Sequence, residues 1–408
     1  MKNLILIYFI LISSAFSQND RQFIKQIKND VKFLSSDKLE GRKSGTIGEK
    51  KAYSYIIKRF KDLGLLPKGE DNYKQAFSVS KNKIKYSDLN TPIFFDSLVY
   101  ATNVIAYKDN SALKTIVIGA HYDHIGYGVE SSLTPDLNIV HNGADDNASG
   151  VALLLYLAEI INNKNYNYLY IAFSGEEEGL WGSSYFTKNP TIDLNTVSCM
   201  INLDMVGRLD KKSTLAINGT GTSKEWDSLI DKSNTYSFDL VKSESGLGAS
   251  DHTSFYLLDI PSIHFFTGQH DDYHKYTDDF DKINYKGIKM IADFINSIIN
   301  NSNSFSKTGL TFQKTNDKSN THMSFSVTLG VMPDYLYDEK GMKIDKVREG
   351  KVADKSGILD GDIVIKMDTI IIEDMMSYME ALGQFKKGDT IVVKVLRNKK
   401  EIELKVTF

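Results

Sequence analysis

The sequence has little cysteine, no strong excess of charge and no long apolar run. Cys199 is the single cysteine among its 408 residues, so an intramolecular disulfide is impossible. The formal net charge of -3 gives no reason to expect nucleic acid or an anionic membrane as a partner. The apolar run Leu4–Ile12 is shorter than the ~20 residues that a membrane-spanning helix needs. With 41% hydrophobic and 25% charged residues, the remaining composition is that of an ordinary globular protein.

The N-terminal segment has the pattern of a secretory signal. Lys2 precedes the apolar run, and the small residues Ala15 and Ser17 follow it. This order predicts a signal peptide over residues 1–17, cleaved after Ser17, and an exported protein that is periplasmic or extracellular. The alternative is an uncleaved membrane anchor, which the short apolar run disfavours. We therefore expect no membrane span after cleavage.

The rhythm of apolar residues divides the rest of the chain in two. Residues 18–300 alternate strand-like and helix-like runs, which predicts an α/β fold with a mixed, mostly parallel central sheet and helices on both faces. Residues 301–321 are polar and are predicted to form a linker. Residues 322–408 hold short β-like runs and one helix near Glu373–Leu382, which predicts a small, mostly-β domain. The strands predicted in the first domain are Asn103–Ala106, Thr115–Ala120, Tyr168–Phe173, Val197–Leu203 and Pro261–Phe266, and the segments with helical spacing are Asp30–Leu34, Gly48–Leu63, Ser149–Ile161 and Gly287–Asn300.

Acidic residues and histidines follow almost every predicted strand of the first domain. In open α/β sheets this edge is where ligand sites form. Adjacent buried carboxylates repel each other and persist mainly where a cation neutralises them, and carboxylates combined with imidazoles suit zinc. Two ions about 3.5–4 Å apart are possible if one carboxylate bridges, and a further carboxylate must take a proton from water. The candidates are His121, Asp146, Glu176, Glu177, Asp204 and His274.

Several motifs, in order along the chain, resemble those of the di-zinc aminopeptidases of peptidase family 28. That family also contains glutamate carboxypeptidases, glutaminyl cyclases and the transferrin receptor ectodomain. The resemblance covers most of residues 20–300. The motifs are DKLEGRKSGTIG (Asp37–Gly48), HYDH (His121–His124), GADDNASG (Gly143–Gly150), SGEEEGLWGS (Ser174–Ser183), NLDMVG (Asn202–Gly207) and DYHKYTDD (Asp272–Asp279).

The resemblance implies two zinc ions per chain. One zinc would be held by His121, Asp146 and Asp204. The other would be held by Asp146, Glu177 and His274, so that Asp146 bridges the two ions.

The resemblance also implies roles for residues that do not bind metal. Glu176 would be the general base, and Asp123 would accept a hydrogen bond that orients His121. Tyr273 is a candidate for polarising the substrate carbonyl. The peptide between Asp146 and Asn147 would be cis.

Neighbouring residues have simpler interpretations. Asp145 is best explained as a cap of the following helix, and Glu178 as a solvated member of its acidic run. His264 lies inside an apolar strand and fits a core histidine or a neighbour of the site, whereas His270 competes with His274 for the last ligand position. Trp181 fits a specificity pocket and core packing equally well.

The function that the resemblance implies is removal of N-terminal residues from peptides or proteins through a hydroxide bound by two zinc ions. One alternative is a glutaminyl-cyclase-like acyltransferase with one zinc, which the presence of both His121 and Asp204 disfavours. Another is a carboxypeptidase-type member of the same family, which would need a basic cluster for the substrate carboxylate; none is evident in the sequence. A non-catalytic binding protein is disfavoured by the complete ligand set.

The C-terminal segment resembles a PDZ domain of the bacterial protease-associated type. The resemblance is carried by SFSVTLGVMPD (Ser324–Asp334) and GMKIDKVREGKVADKSGILDGDIVIKMD (Gly341–Asp368). In PDZ domains a peptide adds as a strand and its terminal carboxylate is held by backbone N–H groups of a loop. Here the resemblance implies that Leu329, Gly330 and Val331 supply those donors. The alternative is a docking or stabilising module without a free ligand.

Overall fold

A nine-stranded mixed sheet is the framework of the first domain in the computed structural model. The structure describes residues 20–86, 92–128, 132–133, 139–315, 327–334, 337, 339–347, 350–373 and 375–408, so the predicted signal peptide lies outside the described residues. The strands run in the order β1-β3-β5-β4-β6-β9-β7-β8, and β2 pairs with β3. Their bounds are β1 Leu66–Pro67, β2 Lys74–Tyr86, β3 Pro92–Lys108, β4 Thr115–His121, β5 Asn167–Phe173, β6 Val197–Leu203, β7 Thr214–Asn218, β8 Asp239–Ser243 and β9 Ser262–Phe266.

The four central strands, β5, β4, β6 and β9, are parallel. Every residue of these strands is buried, which matches their nearly continuous apolar runs. Because the strands are parallel, their carboxyl ends meet at one edge of the sheet.

Helices cover both faces of this sheet. Ile116 and Ile118 of β4 pack in the main core, whereas Val117 packs on the opposite face with Phe186 and Phe255. The fold class predicted from the sequence is therefore confirmed. The helices are α1 (residues 20–34), α2 (Ile47–Asp62), α3 (Gly150–Ile160), α4 (Trp181–Lys188), α5 (Trp226–Ser233), α6 (His252–Tyr256) and α7 (Tyr285–Asn301).

Some strands of the first domain do not follow from the sequence pattern. Residues 103–106 are predicted as a strand, but they are only the end of β3, which pairs with β2 in a long antiparallel hairpin. β7 and β8 are five-residue strands, TLAIN and DLVKS, whose mixed polarity does not separate them from loops.

The described part of the predicted linker contacts the first domain. Leu310 is buried in the main core, and Phe312 forms an isolated β-bridge with Ser223. The Thr315 backbone N–H donates a hydrogen bond of 3.1 Å to the Tyr256 hydroxyl. The linker boundary at residue 321 lies outside the described residues.

The second domain has a six-stranded antiparallel sheet and a core of its own, which includes Leu329, Val364 and Val393. Its first strand, β10, lies at the edge of the sheet and pairs with β11. Among the described residues, no helix combines the length and the apolarity that crossing a bilayer requires. The elements are β10 Val331–Pro333, β11 Met342–Val347, α8 Val352–Lys355, β12 Ile363–Met367, β13 Ile370–Ile371, α9 Met375–Gly383, β14 Thr390–Arg397 and β15 Lys400–Thr407.

Candidate metal centre

The candidate residues lie at the carboxyl ends of the parallel strands, where open α/β sheets bind ligands. His121 is the last residue of β4, and Asp204 directly follows β6. Glu176 and Glu177 follow β5, and His274 lies in the loop after β9. Asp146 lies in the irregular helical turn Ala144–Ser149 that leads into α3.

The turn that carries Asp146 is tied to the end of β6 by Asn147. The Asn147 amide donates to the carbonyl oxygen of Leu203 at 2.9 Å and accepts from the Met205 N–H at 3.2 Å. The peptide between Asp146 and Asn147 is cis, as the resemblance implies. A Cβ on Gly150 would lie 2.2 Å from the Asn147 side chain and 2.4 Å from the Leu203 carbonyl oxygen, so glycine permits this close approach. The turn therefore holds Asp146 at a fixed place beside Asp204.

The side chains form two groups that share Asp146. His121 Nε2 lies 3.3 Å from Asp146 Oδ1 and 3.2 Å from Asp204 Oδ1. His274 Nε2 lies 3.2 Å from Asp146 Oδ2 and 3.1 Å from Glu177 Oε2. Ligand atoms of a tetrahedral zinc ion lie about 3.3 Å from one another, given zinc–ligand distances near 2.05 Å. The spacing and the donor types of both groups therefore fit zinc.

The charge of the site also favours cations. Four carboxylates, those of Asp146, Glu176, Glu177 and Asp204, surround His121 and His274 in a largely buried region. Without a positive ion such a group of carboxylates repels itself, and removal from water makes the repulsion stronger. Each of the two groups could hold one metal ion, with one Asp146 oxygen directed to each.

Glu176 and Glu177 differ in their surroundings although they are adjacent. Burial raises the pKa of Glu176 well above its ordinary value, and the charges of Asp204 and Glu177 add to the effect. Burial also acts to raise the pKa of Glu177, but the charge of His274 and the hydrogen bond from His124 outweigh it and lower the value to about 2. Glu176 Oε2 is 4.0 Å from His121 Nε2, farther from that nitrogen than Asp146 Oδ1 at 3.3 Å and Asp204 Oδ1 at 3.2 Å.

Asp123 connects the loop of His121 with that of Glu176. Its Oδ1 accepts a hydrogen bond of 3.2 Å from the Glu176 backbone N–H, and its Oδ2 accepts one of 3.3 Å from the Ser44 hydroxyl. The distance from His121 Nδ1 to Asp123 Oδ1 is 3.7 Å, longer than a hydrogen bond. Orientation of His121 by Asp123 stays a prediction.

The two candidates near the last ligand position contact different acids. His270 Nε2 lies 3.1 Å from Asp145 Oδ2, whereas His274 contacts Asp146 and Glu177. Asp145 also accepts a hydrogen bond of 2.6 Å from the Gly207 N–H, so the prediction that it caps the following helix is wrong. The loop after β6 attracts this carboxylate away from the helix end.

Tyr273 stacks on His274, with ring centroids 4.0 Å apart and an interplanar angle of 21°. In the second domain, Leu329 is buried and Val331 begins the edge strand β10. The Gly330 N–H donates a hydrogen bond of 3.1 Å to the Thr328 hydroxyl, and its φ of 74° suits glycine.

Arg42 is a residue of the site that sequence reasoning does not assign. Its guanidinium is fully buried and donates to the carbonyl oxygens of Tyr122, Asn142 and Gly143 at 2.8, 2.7 and 3.0 Å, and also to that of Leu34. Burial lowers its pKa to about 10. Arg42 thus joins the segment after β4 to the segment before Asp146. The motif DKLEGR contains it, but the motif does not reveal where its hydrogen bonds go.

His124 is a second such residue. Its Nδ1 lies 2.7 Å from Glu177 Oε1, and its ring is buried. The sequence reveals it only as the last residue of the HYDH motif.

Comparison with known proteins agrees with this geometry. Residues 103–299 match the model of peptidase family M28, and residues 307–408 match that of the PDZ domain. The similarity to peptidase family M28 thus covers residues 103–299, just under half of the chain. The resemblance inferred from the motifs is confirmed, for both the M28 domain and the PDZ domain that follows it.

Curated relatives of the M28 domain include bacterial and fungal proteins. Aminopeptidase YwaD of Bacillus subtilis is 26% identical over 212 residues, which are 48% of this chain and 44% of that protein. The alkaline phosphatase isozyme conversion protein of Escherichia coli is 31% identical over 171 residues, 40% of this chain and 46% of the relative. A probable zinc metalloprotease of Pyrenophora tritici-repentis is 30% identical over 205 residues, with coverages of 48% and 44%. The chain spans less than half of the length of each of these relatives.

Solved structures share the fold of the M28 domain. A zinc aminopeptidase of Bacillus subtilis superposes with a TM-score of 0.54 at 18% identity, covering 72% of this chain and 96% of that one. A glutaminyl cyclase of Porphyromonas gingivalis gives a TM-score of 0.52 at 17% identity, with coverages of 68% and 97%. Identities this low show the fold alone, and the aminopeptidase and the glutaminyl cyclase share this fold.

Proposed function

We propose that the protein is a zinc-dependent aminopeptidase that holds two zinc ions and hydrolyses the N-terminal peptide bond of peptides or proteins. The observation that carries the proposal is the position of Asp146, whose two carboxylate oxygens lie in two separate groups of ligand-type atoms. A single-metal site would not need both groups.

The residues that would hold the ions are His121 and Asp204 on one side, Glu177 and His274 on the other, and Asp146 between them. When bound, two zinc ions lower the pKa of a water molecule and polarise the carbonyl group of the scissile bond.

Glu176 would move the proton in this reaction. It lies beside both groups without being part of either, so its carboxylate is free to accept a proton from the attacking water and to pass it to the leaving amine. Its side chain is only 12% exposed, which limits the access of bulk water that would compete for that proton. The hydrogen bond from the Glu176 backbone N–H to Asp123 holds it at this place.

Aminopeptidase activity is favoured over carboxypeptidase activity by the state of Arg208. This guanidinium lies near the site, but its Nη2 is paired with Asp272 at 3.1 Å and with Asp278 at 3.0 Å. Its Nη2 is therefore engaged by two carboxylates of the protein, which disfavours its use as a clamp for a substrate carboxylate.

The test combines a metal count with a panel of substrates. We expect two zinc ions per chain by elemental analysis, hydrolysis of unblocked aminoacyl p-nitroanilides, and no hydrolysis of their N-acetylated forms. Release of residues from the carboxyl end of N-acetylated peptides would replace the proposal by a carboxypeptidase. Cyclisation of N-terminal glutamine with one zinc per chain would replace it by a glutaminyl cyclase.

We propose further that the PDZ domain binds the carboxyl-terminal tail of a peptide or protein. Among the described residues β10 is an edge strand that pairs with β11, and the segment Leu329–Val331 leads into it as a carboxylate-binding loop would. Deletion of residues 322–408 should slow the hydrolysis of long peptides with free carboxyl ends and leave aminoacyl p-nitroanilides unaffected. Equal effects on both substrates would contradict recruitment, and an unchanged zinc content is the control.

We propose that the protein is exported, on the basis of the signal-like residues 1–17. N-terminal sequencing of the protein from a native host should find Gln18 as the first residue. A protein that starts with Met1 and stays with the membrane fraction would contradict cleavage.

A further inference from the structure

His124 contacts the second group of ligands but is not one of the residues to which the family resemblance gives a role. Its Nδ1 lies 2.7 Å from Glu177 Oε1 and 3.8 Å from Asp146 Oδ2. Its ring is 1% exposed. Together with Asp146 and Glu177 it forms a cluster that has the composition of a metal site.

We propose that His124 is a positioning residue that fixes Glu177 as a one-oxygen ligand of the second zinc ion. The inference rests on the two-zinc site proposed above. His124 donates its Nδ1–H to Oε1 of Glu177, and this bond leaves Oε2 beside His274 Nε2, where the two side chains would hold the second ion.

The distances separate this role from direct coordination. Two ligand atoms of one tetrahedral zinc ion lie about 3.3 Å apart, and the contacts of His274 Nε2 at 3.1 and 3.2 Å agree with that value. The 2.7 Å between His124 Nδ1 and Glu177 Oε1 is too short for two ligands of one ion, but it is normal for a charge-assisted hydrogen bond. The 3.8 Å to Asp146 Oδ2 also places His124 outside the spacing of a shared tetrahedron.

The surroundings of the ring hold it in this orientation. A Cβ on Gly143 would lie 2.6 Å from the Cδ2 and Cγ atoms of His124, so the ring packs directly on the backbone of a glycine. On another side the ring meets His274 edge-on, with centroids 5.8 Å apart. His124 Nε2 has no hydrogen-bond partner among the described residues, so the bond to Glu177 is the polar contact that orients the ring.

The consequence for Glu177 is that both oxygens are occupied, one by His124 and one by the second group. A carboxylate without such a partner can turn and bind a metal ion through both oxygens. His124 would thereby keep the coordination number of the second ion low and leave a position for substrate. Hydrogen-bond partners of metal ligands commonly have this orienting role, and their loss weakens metal affinity about 10–100-fold.

The experiment titrates Co2+ into the metal-free full-length protein and follows visible absorption, with a chelator competing for each site. In His124→Ala we expect the affinity of the second site to fall about 10–100-fold while that of the first site is unchanged. The visible absorption of the second ion should weaken, because five-coordinate Co2+ absorbs less than four-coordinate Co2+. In His124→Asn the amide nitrogen takes the place of Nδ1, so affinity and spectrum should return close to those of the unmodified protein.

His141→Ala is the matched control. His141 is also buried, but its ring nitrogens bond to the Ser132 hydroxyl at 2.7 Å and the Ile139 carbonyl oxygen at 2.9 Å rather than to a carboxylate of the site. The His141→Ala substitution should leave the Co2+ affinities of both sites unchanged. If His124→Ala does not fold by circular dichroism, His124→Leu fills the same volume without a donor and replaces it.

Two results would overturn the inference. One is that the variant without a hydrogen-bond donor, His124→Ala or His124→Leu, has the same Co2+ affinity and visible spectrum as the unmodified protein. The other is a His124→Asn variant as impaired as His124→Ala, which would make His124 itself a ligand. If the unmodified protein binds a single Co2+, the proposed two-zinc function fails; if it binds two and the donor-free variant is normal, only the role of His124 fails.

Discussion

Replacement of Glu176 by glutamine should separate metal binding from proton transfer. Glutamine keeps the size of the side chain but cannot accept a proton from water. The Glu176 carboxylate belongs to neither ligand group, and its backbone N–H remains bonded to Asp123 in the variant. We therefore expect Glu176→Gln to retain both zinc ions and the fold.

The expected loss in rate follows from the burial of this side chain. A positioned general base contributes about 10²–10⁴-fold, which corresponds to about 2.7–5.4 kcal/mol of the activation free energy. Because the Glu176 side chain is only 12% exposed, bulk water does not easily replace it as a proton acceptor. We expect kcat for an aminoacyl p-nitroanilide to fall at least about 10³-fold, in the upper half of that range, with little change in KM.

The assay needs a control from the same acidic run. Glu178 is two residues away, but it forms an ion pair of 3.2 Å with Lys43 and does not belong to the ligand groups. Glu178→Gln should keep its zinc and most of its activity. The reasoning is refuted if Glu176→Gln turns over at the normal rate, or if it loses zinc and so proves to be a ligand.

Three further predictions concern the bridge, the pH dependence and the arginine behind the site. Asp146→Ala should lose zinc from both positions, since one oxygen serves each group; elemental analysis that still finds two ions per chain would exclude bridging. Burial lowers the pKa of His121 and of His274, but the neighbouring carboxylates outweigh it and raise both pKa values well above 6.5, so zinc must displace protons from imidazolium groups at neutral pH. Zinc affinity should therefore increase as pH rises, and calorimetry in buffers of different ionisation enthalpy should detect proton release; an affinity independent of pH between 6 and about 8 would contradict the shifts. Arg42→Lys should lower the free energy of unfolding by about 2–5 kcal/mol, because one ammonium group cannot reach all the carbonyl groups that the guanidinium joins. Urea denaturation followed by tryptophan fluorescence measures this free energy, and an unchanged midpoint would refute the stabilising role of Arg42.

The sequence predicts much of the site because most of the candidate ligand residues follow predicted strands. Parallel strands bring their carboxyl ends to one edge, so residues such as His121 and Asp204 are expected to meet although 83 positions separate them. The apolar runs that define these strands are nearly continuous, which makes their positions easy to recognise. The four central strands follow from these runs, and α1, α2, α3 and α7 follow from the segments with helical spacing.

What the sequence does not reveal depends on contacts rather than on patterns. Arg42 acts on backbone carbonyl groups, which every residue has, so no partner residue marks its role. His124 is distinguished from other histidines only by its distance to Glu177. Asp145 has the position of a helix cap, but its carboxylate bonds to the Gly207 N–H and to His270 instead of to the helix end.

The hydrogen bonds of Arg42 determine how much of the chain the first domain needs in order to hold its site together. The match to the family model starts at residue 103, yet the guanidinium that joins the loops after β4 and before α3 comes from residue 42. A fragment trimmed to residues 103–299 would contain all five proposed ligands and still lack the arginine that holds their loops together. The family-model match and the smallest stable domain therefore have different N-terminal borders in this chain. A truncated form of the first domain should begin upstream of α2 so that it keeps Arg42.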